Sequence, residues 1–268
     1  MATSLQLPAD VESFSPEQIL GWTLEQFPGR VALACSFQKE ETILLDMLFA
    51  LDPKARVFAV DTHHLFPETY AYWRDVEQRY GTTIEVFAGP PVEDKLWETK
   101  PDLYLAIAKV EPLNRALLDL DCWITGVRRD QAPTRANAPK LGWDGAHELW
   151  KANPLADWSD GDCWAFIRER GLPYNALHDQ GYESIGDTHS TTPGAGREGR
   201  WAGTERGGAH REARREPLGD EARPLPRARE GRAADPRADR PRLLGHRHPA
   251  RPGADARERA EARLGRGS

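Results

Sequence analysis

The sequence predicts an α/β domain with a parallel, doubly wound sheet, and three observations support that prediction. Four short apolar runs between residues 30 and 127 have the length and composition of buried strands. Segments with apolar residues at helical spacing lie between them, so strand and helix alternate along the chain. Proline at the start and glycine at the end delimit helices, as at Pro67 and Gly81.

Each element follows from its own residues. Ser15 and Pro16 suit the cap and first position of a helix in "SPEQILGWTLEQF", and Ser159 caps the helix of "WSDGDCWAFIRERGLPYN", which stops at Gly171. The other predicted helices are "KEETILLDMLFAL", "PETYAYWRDVEQRYG" and "KVEPLNRALLDLD", and the predicted strands are "RVALACSF", "ARVFAVDT", "TTIEVFAG" and "CWITGV". Because ligands of such sheets bind at the carboxyl ends of the strands, the segments after the strands are the candidates for a site.

The composition of the chain changes after Trp201. From Ala202 to Ser268 there is no Phe, Tyr, Trp, Ile, Val, Met, Cys or Lys. Residues 197–268 carry 19 Arg and 12 acidic residues, whereas residues 1–196 carry 17 basic and 30 acidic ones. So little apolar surface does not offset the entropy of ordering a chain, which predicts a disordered tail. A nucleic-acid-binding arm is the alternative, but the tail lacks Lys and aromatic residues, and its acidic residues dilute the charge.

The cysteines and the N-terminus exclude several classes of protein. Cys35, Cys122 and Cys163 form no C-x-x-C pair, so a disulfide framework and a cysteine-ligated metal site are not expected. The N-terminus has no basic segment followed by an apolar one, as a secretory signal would. No apolar run reaches the roughly 18 residues of a membrane span. We therefore expect a cytoplasmic protein with no membrane partner.

Two candidate segments follow the first two strands. In "ACSFQKEETILLD" a polar turn with Ser36 leads into a helix, whose free backbone N–H groups attract anions; the alternative is an ordinary strand-to-helix turn. In "FAVDTHHLFPETY" Asp61 ends a strand, where a carboxylate is suited to hold a ribose hydroxyl. His63 and His64 are of the type that binds metals, and the alternative is a capping carboxylate followed by two surface histidines.

Two further segments are rich in anion-binding residues. In "GVRRDQAPTR" three arginines, Arg128, Arg129 and Arg135, follow a buried strand, and arginine binds phosphate and sulfate through two donors at once. In "GYESIGDTHSTTPGAGREGRW" hydroxyl groups and His189 are flanked by glycines, with Arg197 and Arg200 after them. The alternatives are a solvated basic loop and a glycine-rich linker.

In this order, the segments resemble the phosphoadenosine phosphosulfate (PAPS) and adenylyl-sulfate (APS) reductases of sulfate assimilation. The stretches that carry the resemblance are "SFQKEETILLDML", "VDTHHLFPETY", "KVEPLNRAL", "ITGVRRDQAPTRA", "LHDQGYESIGDTHSTTPG" and "GREGRWAG". The resemblance implies an adenine nucleotide alpha hydrolase-like fold with a modified phosphate loop. It divides the chain into an N-terminal helical segment, 1–28, a nucleotide-binding domain, 29–203, and the tail, 204–268.

The resemblance also implies a set of substrate-binding residues. The loop of Ser36 and Phe37 would hold the phosphosulfate end, and Asp61 and Thr62 the nucleoside side. Lys109 would face the sulfo group, whose charge arginines would neutralise. The remaining members of the set are Gly186, Thr188, His189, Arg128, Arg129, Arg135, Arg197 and Arg200.

One branch of this family carries a [4Fe–4S] cluster on four cysteines and reduces APS. The corresponding positions here hold Tyr104, Leu105, Asp187 and Ser190, and such a cluster needs thiolates. The chain is more similar to the second branch, which has no cluster and uses PAPS. The resemblance therefore implies a protein without a cofactor or a metal.

The catalytic cysteine of the family lies in a C-terminal E-C-G-L-H motif, and its thiolate forms an S-sulfo intermediate that thioredoxin or glutaredoxin resolves. Here "TERGGAH" stands in that place, Arg206 follows Glu205, and no cysteine occurs after Cys163. A reading-frame shift near Thr204 would explain both the missing motif and the tail, and the DNA sequence tests that hypothesis. The implied function is PAPS reduction in cysteine biosynthesis; the alternatives are APS reduction and binding without turnover. The sequence does not determine whether the protein forms homo-oligomers.

Overall fold

The computed structural model of the chain describes residues 5–195 and Gly199. Within this part a six-stranded sheet has the order β3-β2-β1-β4-β6-β5. The strands are β1 (Val31–Ala34), β2 (Arg56–Asp61), β3 (Glu85–Ala88), β4 (Cys122–Ile124), β5 (Leu141–Asp144) and β6 (Leu149–Ala152). All neighbours pair in parallel except β5, which runs antiparallel to β6 at the edge. The predicted doubly wound α/β fold is confirmed, with one antiparallel edge strand added.

Helices connect and cover the strands. They are α1 (Pro16–Gln26), α2 (Lys39–Leu51), α3 (Pro67–Tyr80), α4 (Leu96–Thr99), α5 (Pro101–Leu105), α6 (Glu111–Leu117) and α7 (Asp160–Arg170), with a π-helical turn (Ala106–Val110) between α5 and α6. Short 3-10 turns occupy Val11–Ser13, Arg129–Gln131, Pro133–Arg135 and Ala176–Gln180.

The helix boundaries confirm the predicted caps. The hydroxyl of Ser15 accepts a hydrogen bond from the backbone N–H of Gln18, and Ser159 caps α7 in the same way. Gly81 and Gly171 end α3 and α7 in the left-handed conformation that glycine adopts without steric cost. These signals were readable because they depend on local backbone geometry alone.

Other predicted boundaries were wrong. The predicted strand "RVALACSF" is regular only over Val31–Ala34, since the chain leaves the sheet at Cys35. The predicted helix "KVEPLNRALLDLD" begins within the π-helical turn and ends at Leu117. Strands β5 (LGWD) and β6 (LWKA) and helices α4 and α5 were not predicted. The two strands are as short as β1 and β4 but, unlike those, they do not lie in a continuous apolar run, and the two helices are too short to show a helical period.

The core lies on both faces of the sheet. On one face Ala32, Phe58 and Trp123 pack with Ala116 and Leu117 of α6. On the opposite face α2 packs against α1 and α7, and most of its side chains are buried. Each large apolar side chain buried in this way contributes about 1.5–3 kcal/mol. Among the described residues, no helix has the length and apolar character needed to cross a membrane.

The register of the sheet sets where a site forms. Ala34 of β1 pairs with Phe58 of β2, so the loops that leave these two neighbouring strands emerge at the same edge. The strand order reverses beside β1, because β2 lies on one side of it and β4 on the other. The predicted tail, 204–268, lies outside the described residues.

Candidate functional site

A cleft opens at the carboxyl ends of β1 and β2. Its volume is about 330 Å³. The loop after β1, the end of β2, the start of α3, the π-helical turn and the segment after Ala176–Gln180 all contribute to its walls. The lining residues are Ala34, Cys35, Ser36, Phe37, Gln38, Phe58, Val60, Thr62, Leu65, Thr69, Lys109, Leu113, Ile185, Gly186 and Asp187. Of the predicted set, the cleft thus brings together Ser36, Phe37, Thr62, Lys109 and Gly186.

The loop after β1 is shaped by Phe37. This residue has a φ of 60°, in the left-handed region that non-glycine residues rarely enter. Its ring is buried and stacks on Trp73 at 4.7 Å between centroids, which holds the strained backbone in place. The turn leaves Ser36 and Gln38 on the cleft wall, where Gln38 Nε2 donates to Ser36 Oγ at 3.0 Å.

A buried carboxylate already occupies the amino terminus of α2. Glu41 Oε2 accepts hydrogen bonds from Ser36 Oγ at 2.9 Å and from the Gln38 backbone N–H at 3.2 Å. Burial, and then the neighbouring charge of Glu40, raise the pKa of Glu41 to about 7, although the two hydrogen bonds oppose the rise. Sequence reasoning missed both Gln38 and Glu41, although the "SFQKEE" loop contains them.

The polar residues at the end of β2 contact neighbouring groups of the protein. The Asp61 carboxylate accepts from the His63 backbone N–H at 2.8 Å and from the Tyr70 hydroxyl at 2.7 Å. His63 Nε2 lies 3.0 Å from the Gly89 carbonyl oxygen, and the His64 ring packs against Trp97. In the part of the chain that the structure describes, no group of His, Cys, Asp and Glu side chains could hold a metal ion. Asp61 therefore has the contacts of a capping carboxylate, whereas of the two histidines only His63 is exposed and His64 is half-buried.

Asp187 is a buried carboxylate that lines the cleft, with a side chain that is 1% exposed. Thr62 Oγ1 donates to Asp187 Oδ1 at 2.8 Å, and the Tyr104 hydroxyl donates to Oδ2 at 3.1 Å. The Lys109 ammonium lies 3.0 Å from Oδ2. Burial acts to raise the pKa of Asp187, but the charge and hydrogen bond of Lys109 and the Thr62 hydroxyl outweigh it and hold the pKa below its usual value.

His189 and Thr188 lie beside this network. The His189 ring stacks on Trp97 at 4.4 Å between centroids, and its Nε2 lies 3.0 Å from the Tyr104 hydroxyl. Burial lowers the pKa of His189 to about 4, in spite of the nearby Asp187 charge. The ring is therefore neutral at pH 7 and adds no positive charge. Thr188 donates its backbone N–H to the His64 carbonyl at 2.9 Å, which ties the segment to the end of β2.

The predicted arginine cluster does not line the cleft. Arg128 is 3% exposed, and its guanidinium contacts Glu40 at 2.9 Å, Asp160 at 3.2 Å and also Asp130. Arg129 pairs with Glu12, and Arg135 donates to the Gln131 side chain. These arginines make contacts within the protein. Arg128 in particular supplies the counter-charge of Glu40, whose side chain is buried at the start of α2. Arg197, Arg200 and Arg206 lie outside the described residues.

The three cysteines are free and buried. Burial raises the pKa of the Cys35 thiol well above its usual value, and the Glu41 charge adds to the rise. Burial likewise raises the pKa of Cys122, and that of Cys163 to about 12. Since the thiolate is the reactive form, none of the three has the properties of a nucleophile at neutral pH.

Comparison with known proteins identifies relatives of this chain. A family model for the phosphoadenosine phosphosulfate reductase domain matches residues 30–193. The chain is 37% identical over 209 residues to adenosine 5′-phosphosulfate reductase of Salinibacter ruber, covering 73% of this chain and 83% of that protein. It is 40% identical over 207 residues to phosphoadenosine 5′-phosphosulfate reductase of Gloeobacter violaceus, covering 72% and 86%.

A solved structure extends the likeness to three dimensions. The phosphoadenylyl-sulfate reductase of Candida auris, crystallised as a phosphate complex, superposes with a TM-score of 0.62 at 32% identity. The match covers 71% of this chain and all of that one, 100%. It confirms the nucleotide-binding α/β fold that the sequence resemblance implied. From the matched domain, the relatives and the shared fold it follows that the chain belongs to the phosphoadenosine phosphosulfate reductase family.

Proposed function

We propose that the cleft binds 3′-phosphoadenosine 5′-phosphosulfate and that the protein acts in its reduction to sulfite and adenosine 3′,5′-bisphosphate, in assimilatory sulfate reduction and cysteine biosynthesis. The family to which the chain belongs reduces adenosine phosphosulfates, and PAPS is our choice of substrate. The observation that carries the proposal is the cleft itself, which is lined by Lys109, by Ser36 and by Gln38, the N-cap residue of α2. We infer a cytoplasmic location.

The lining of the cleft suits both ends of this ligand. Phe58, Val60, Leu65 and Leu113 form an apolar wall, as expected of a pocket that takes a purine ring. At the other end, the backbone N–H groups at the start of α2 and the Ser36 hydroxyl suit an anion. The relative from Candida auris was crystallised with phosphate, which supports anion binding by this fold.

Glu41 sets a condition on anion binding. Its carboxylate accepts from the same Ser36 hydroxyl and Gln38 N–H that would face a phosphate or sulfo group. Two anions cannot share these donors without a large electrostatic cost. We infer that the Glu41 carboxyl group is protonated when the anionic end of the substrate binds, and its pKa of about 7 makes that proton uptake inexpensive near neutral pH.

The reduction needs a thiolate that the described residues do not supply. In the family mechanism the cysteine thiolate attacks the sulfur of the sulfo group, the S–O bond breaks, and adenosine 3′,5′-bisphosphate leaves. A thioredoxin or glutaredoxin thiolate then attacks the cysteine sulfur, so that sulfite leaves and a mixed disulfide joins the donor to the enzyme. The second thiol of the donor attacks this disulfide and releases the enzyme cysteine as a thiolate, and the donor ends as an oxidised disulfide. Arg206 stands in the place of this cysteine and cannot form a thiolate.

Binding without turnover is the second candidate function. The absence of any cysteine after Cys163 favours it, because the residues that line the cleft all lie between Ala34 and Asp187, before the altered tail. Adenosine 5′-phosphosulfate is the alternative substrate, because relatives named for APS and for PAPS reduction match this chain about equally well.

The iron–sulfur cluster of the APS-reducing branch does not fit the residues present. Two of its four ligand positions are Tyr104 and Asp187, whose side chains hydrogen-bond to each other at 3.1 Å. The other two hold Leu105 and Ser190, and none of the four offers a thiolate. We therefore propose that the protein works without a cluster, which iron analysis of the purified protein tests.

Equilibrium binding and sulfite release together test the proposed function. We expect PAPS to bind the chain as it stands, with an affinity that falls as salt is added, because cationic groups supply part of the binding. Sulfite release with reduced thioredoxin should be near zero until the residues after Gly203 are replaced by a tail that carries T-E-C-G-L-H. Normal sulfite release by the unaltered chain would refute the mechanism, and a restored tail without activity would refute the function.

A further inference from the structure

Asp187 has an unusual position for a carboxylate in a substrate cleft. It lines the cleft although its side chain is only 1% exposed, and its backbone pairs with Leu65 in an isolated bridge. Its two oxygens take donors from three separate elements: Thr62 after β2, Tyr104 of α5 and Lys109 of the π-helical turn. A carboxylate so fully engaged contributes through its neighbours and not by touching a ligand.

Lys109 is the member of this group that reaches the open cleft. Its side chain is 29% exposed, against 1% for Asp187, and it lines the cleft wall. It belongs to the π-helical turn Ala106–Val110, a helical irregularity that often accompanies functional sites. A lysine side chain has four flexible bonds, so an ammonium group at a fixed place needs an anchor.

Asp187 and Lys109 carry the opposite charges of this group, and its other members are neutral. His189, 3.6 Å from Asp187, is neutral at pH 7 because burial lowers its pKa to about 4. Tyr104 is neutral as well, since burial and the Asp187 charge raise its pKa. Within this group Asp187 is therefore the counter-charge of Lys109, and an approaching sulfo group adds a second negative charge on the exposed side of the ammonium.

We propose that Asp187 is a positioning residue, which holds the Lys109 ammonium at the cleft wall in the orientation that meets the sulfo group of the substrate. The inference rests on the proposed function. By the family resemblance, Tyr104 and Asp187 occupy positions at which the cluster-bearing branch has cysteines. In this chain a network of oxygen and nitrogen donors around one carboxylate takes that place and acts on the lysine.

Two ligands that differ only in the sulfo group separate this role from a general one. Equilibrium binding is measured for PAPS and for adenosine 3′,5′-bisphosphate with the full chain, Asp187→Asn, Lys109→Met and the double variant. We expect Asp187→Asn to weaken PAPS binding by about ten-fold, the scale of one charge-assisted contact. Binding of the bisphosphate should change by less than about three-fold. The double variant should bind PAPS no more weakly than Lys109→Met alone, because both changes remove the same contact.

Control variants separate positioning from folding. Asp179→Asn alters an exposed carboxylate of the turn Ala176–Gln180, just before the same segment, and should leave both affinities unchanged. If Asp187→Asn does not fold, Tyr104→Phe decides, since it removes one donor to Asp187 without changing charge; it should weaken PAPS binding in the same direction and leave bisphosphate binding alone.

The outcomes are distinguishable. A folded Asp187→Asn that binds PAPS like the unaltered chain, or that loses both ligands equally, overturns the inference. Independent, additive losses in Asp187→Asn and Lys109→Met overturn it too. If the unaltered chain binds neither ligand, the proposed function itself has failed.

Discussion

Replacing Arg128 by alanine should destabilise the fold more than it weakens substrate binding. The Arg128 side chain is 4% exposed and contacts Glu40, which is 5% exposed, at 2.9 Å. Removing one member of a buried ion pair costs about 3–5 kcal/mol, because the other charge stays buried without its partner. Lys39 at 3.9 Å and Gln131 at 3.0 Å still contact Glu40 Oε1. We therefore expect a loss near the lower end, about 3 kcal/mol in the free energy of unfolding.

The adjacent arginine provides a matched control. Arg129 is 33% exposed and pairs with Glu12, which is 51% exposed. A pair of this kind contributes about 1 kcal/mol or less, so Arg129→Ala should unfold at nearly the same urea concentration as the unaltered chain. Urea titration followed by tryptophan fluorescence measures both variants. Equal unfolding midpoints for the two, or a stable Arg128→Ala protein that has lost its affinity for PAPS, would refute the structural role and restore the sulfo-binding role that the sequence implied.

Two further predictions concern Glu41 and Gly89. The folded chain holds the Glu41 proton up to about pH 7, whereas the unfolded chain releases it near 4.5, so this group lowers stability as pH rises between these values. Glu41→Gln should remove that loss, about 3 kcal/mol from a 2.5-unit difference in pKa, and pH-dependent urea unfolding that keeps its slope would contradict this. Gly89→Ala should lower stability by about 1–3 kcal/mol, because a Cβ there would collide with the backbone carbonyl of Ile107 in the π-helical turn. Gly21→Ala, where nothing lies within 4 Å, is its control and should not lower the melting temperature.

The main elements were predictable because their signals are local. The apolar runs of β1, β2 and β4 need no partner to be recognised, and serine, proline and glycine mark the ends of α1 and α7 by backbone geometry alone. The order of strands and helices then determines at which edge of the sheet a cleft forms. The polar turn after the first strand indicated Ser36, and the family resemblance added Thr62, Lys109 and Gly186; all four line that cleft.

The tertiary structure decided which charged residues form ion pairs within the protein and do not face the cleft. An arginine-rich turn in sequence looks the same whether it faces an anion or buried acids. Arg128 contacts Glu40 and Asp160 in the fold, although these residues lie 88 and 32 positions away along the chain. The sequence gives no sign of that meeting, since a side chain's partners depend on how helices pack.

The same reason explains why the centre of the cleft was not foreseen. The sequence identified Tyr104 and Asp187 only as positions without thiolates. Their hydrogen bond joins residues 83 positions apart, and the Thr62 donor lies 125 positions from Asp187. The sequence by itself determined the alternation of four strands with helices, the caps of α1 and α7 and the missing catalytic cysteine, because each can be read from neighbouring residues. Only the packing of α5, the π-helical turn and the segment around Asp187 against the end of β2 decided that a buried carboxylate would hold a lysine in the cleft.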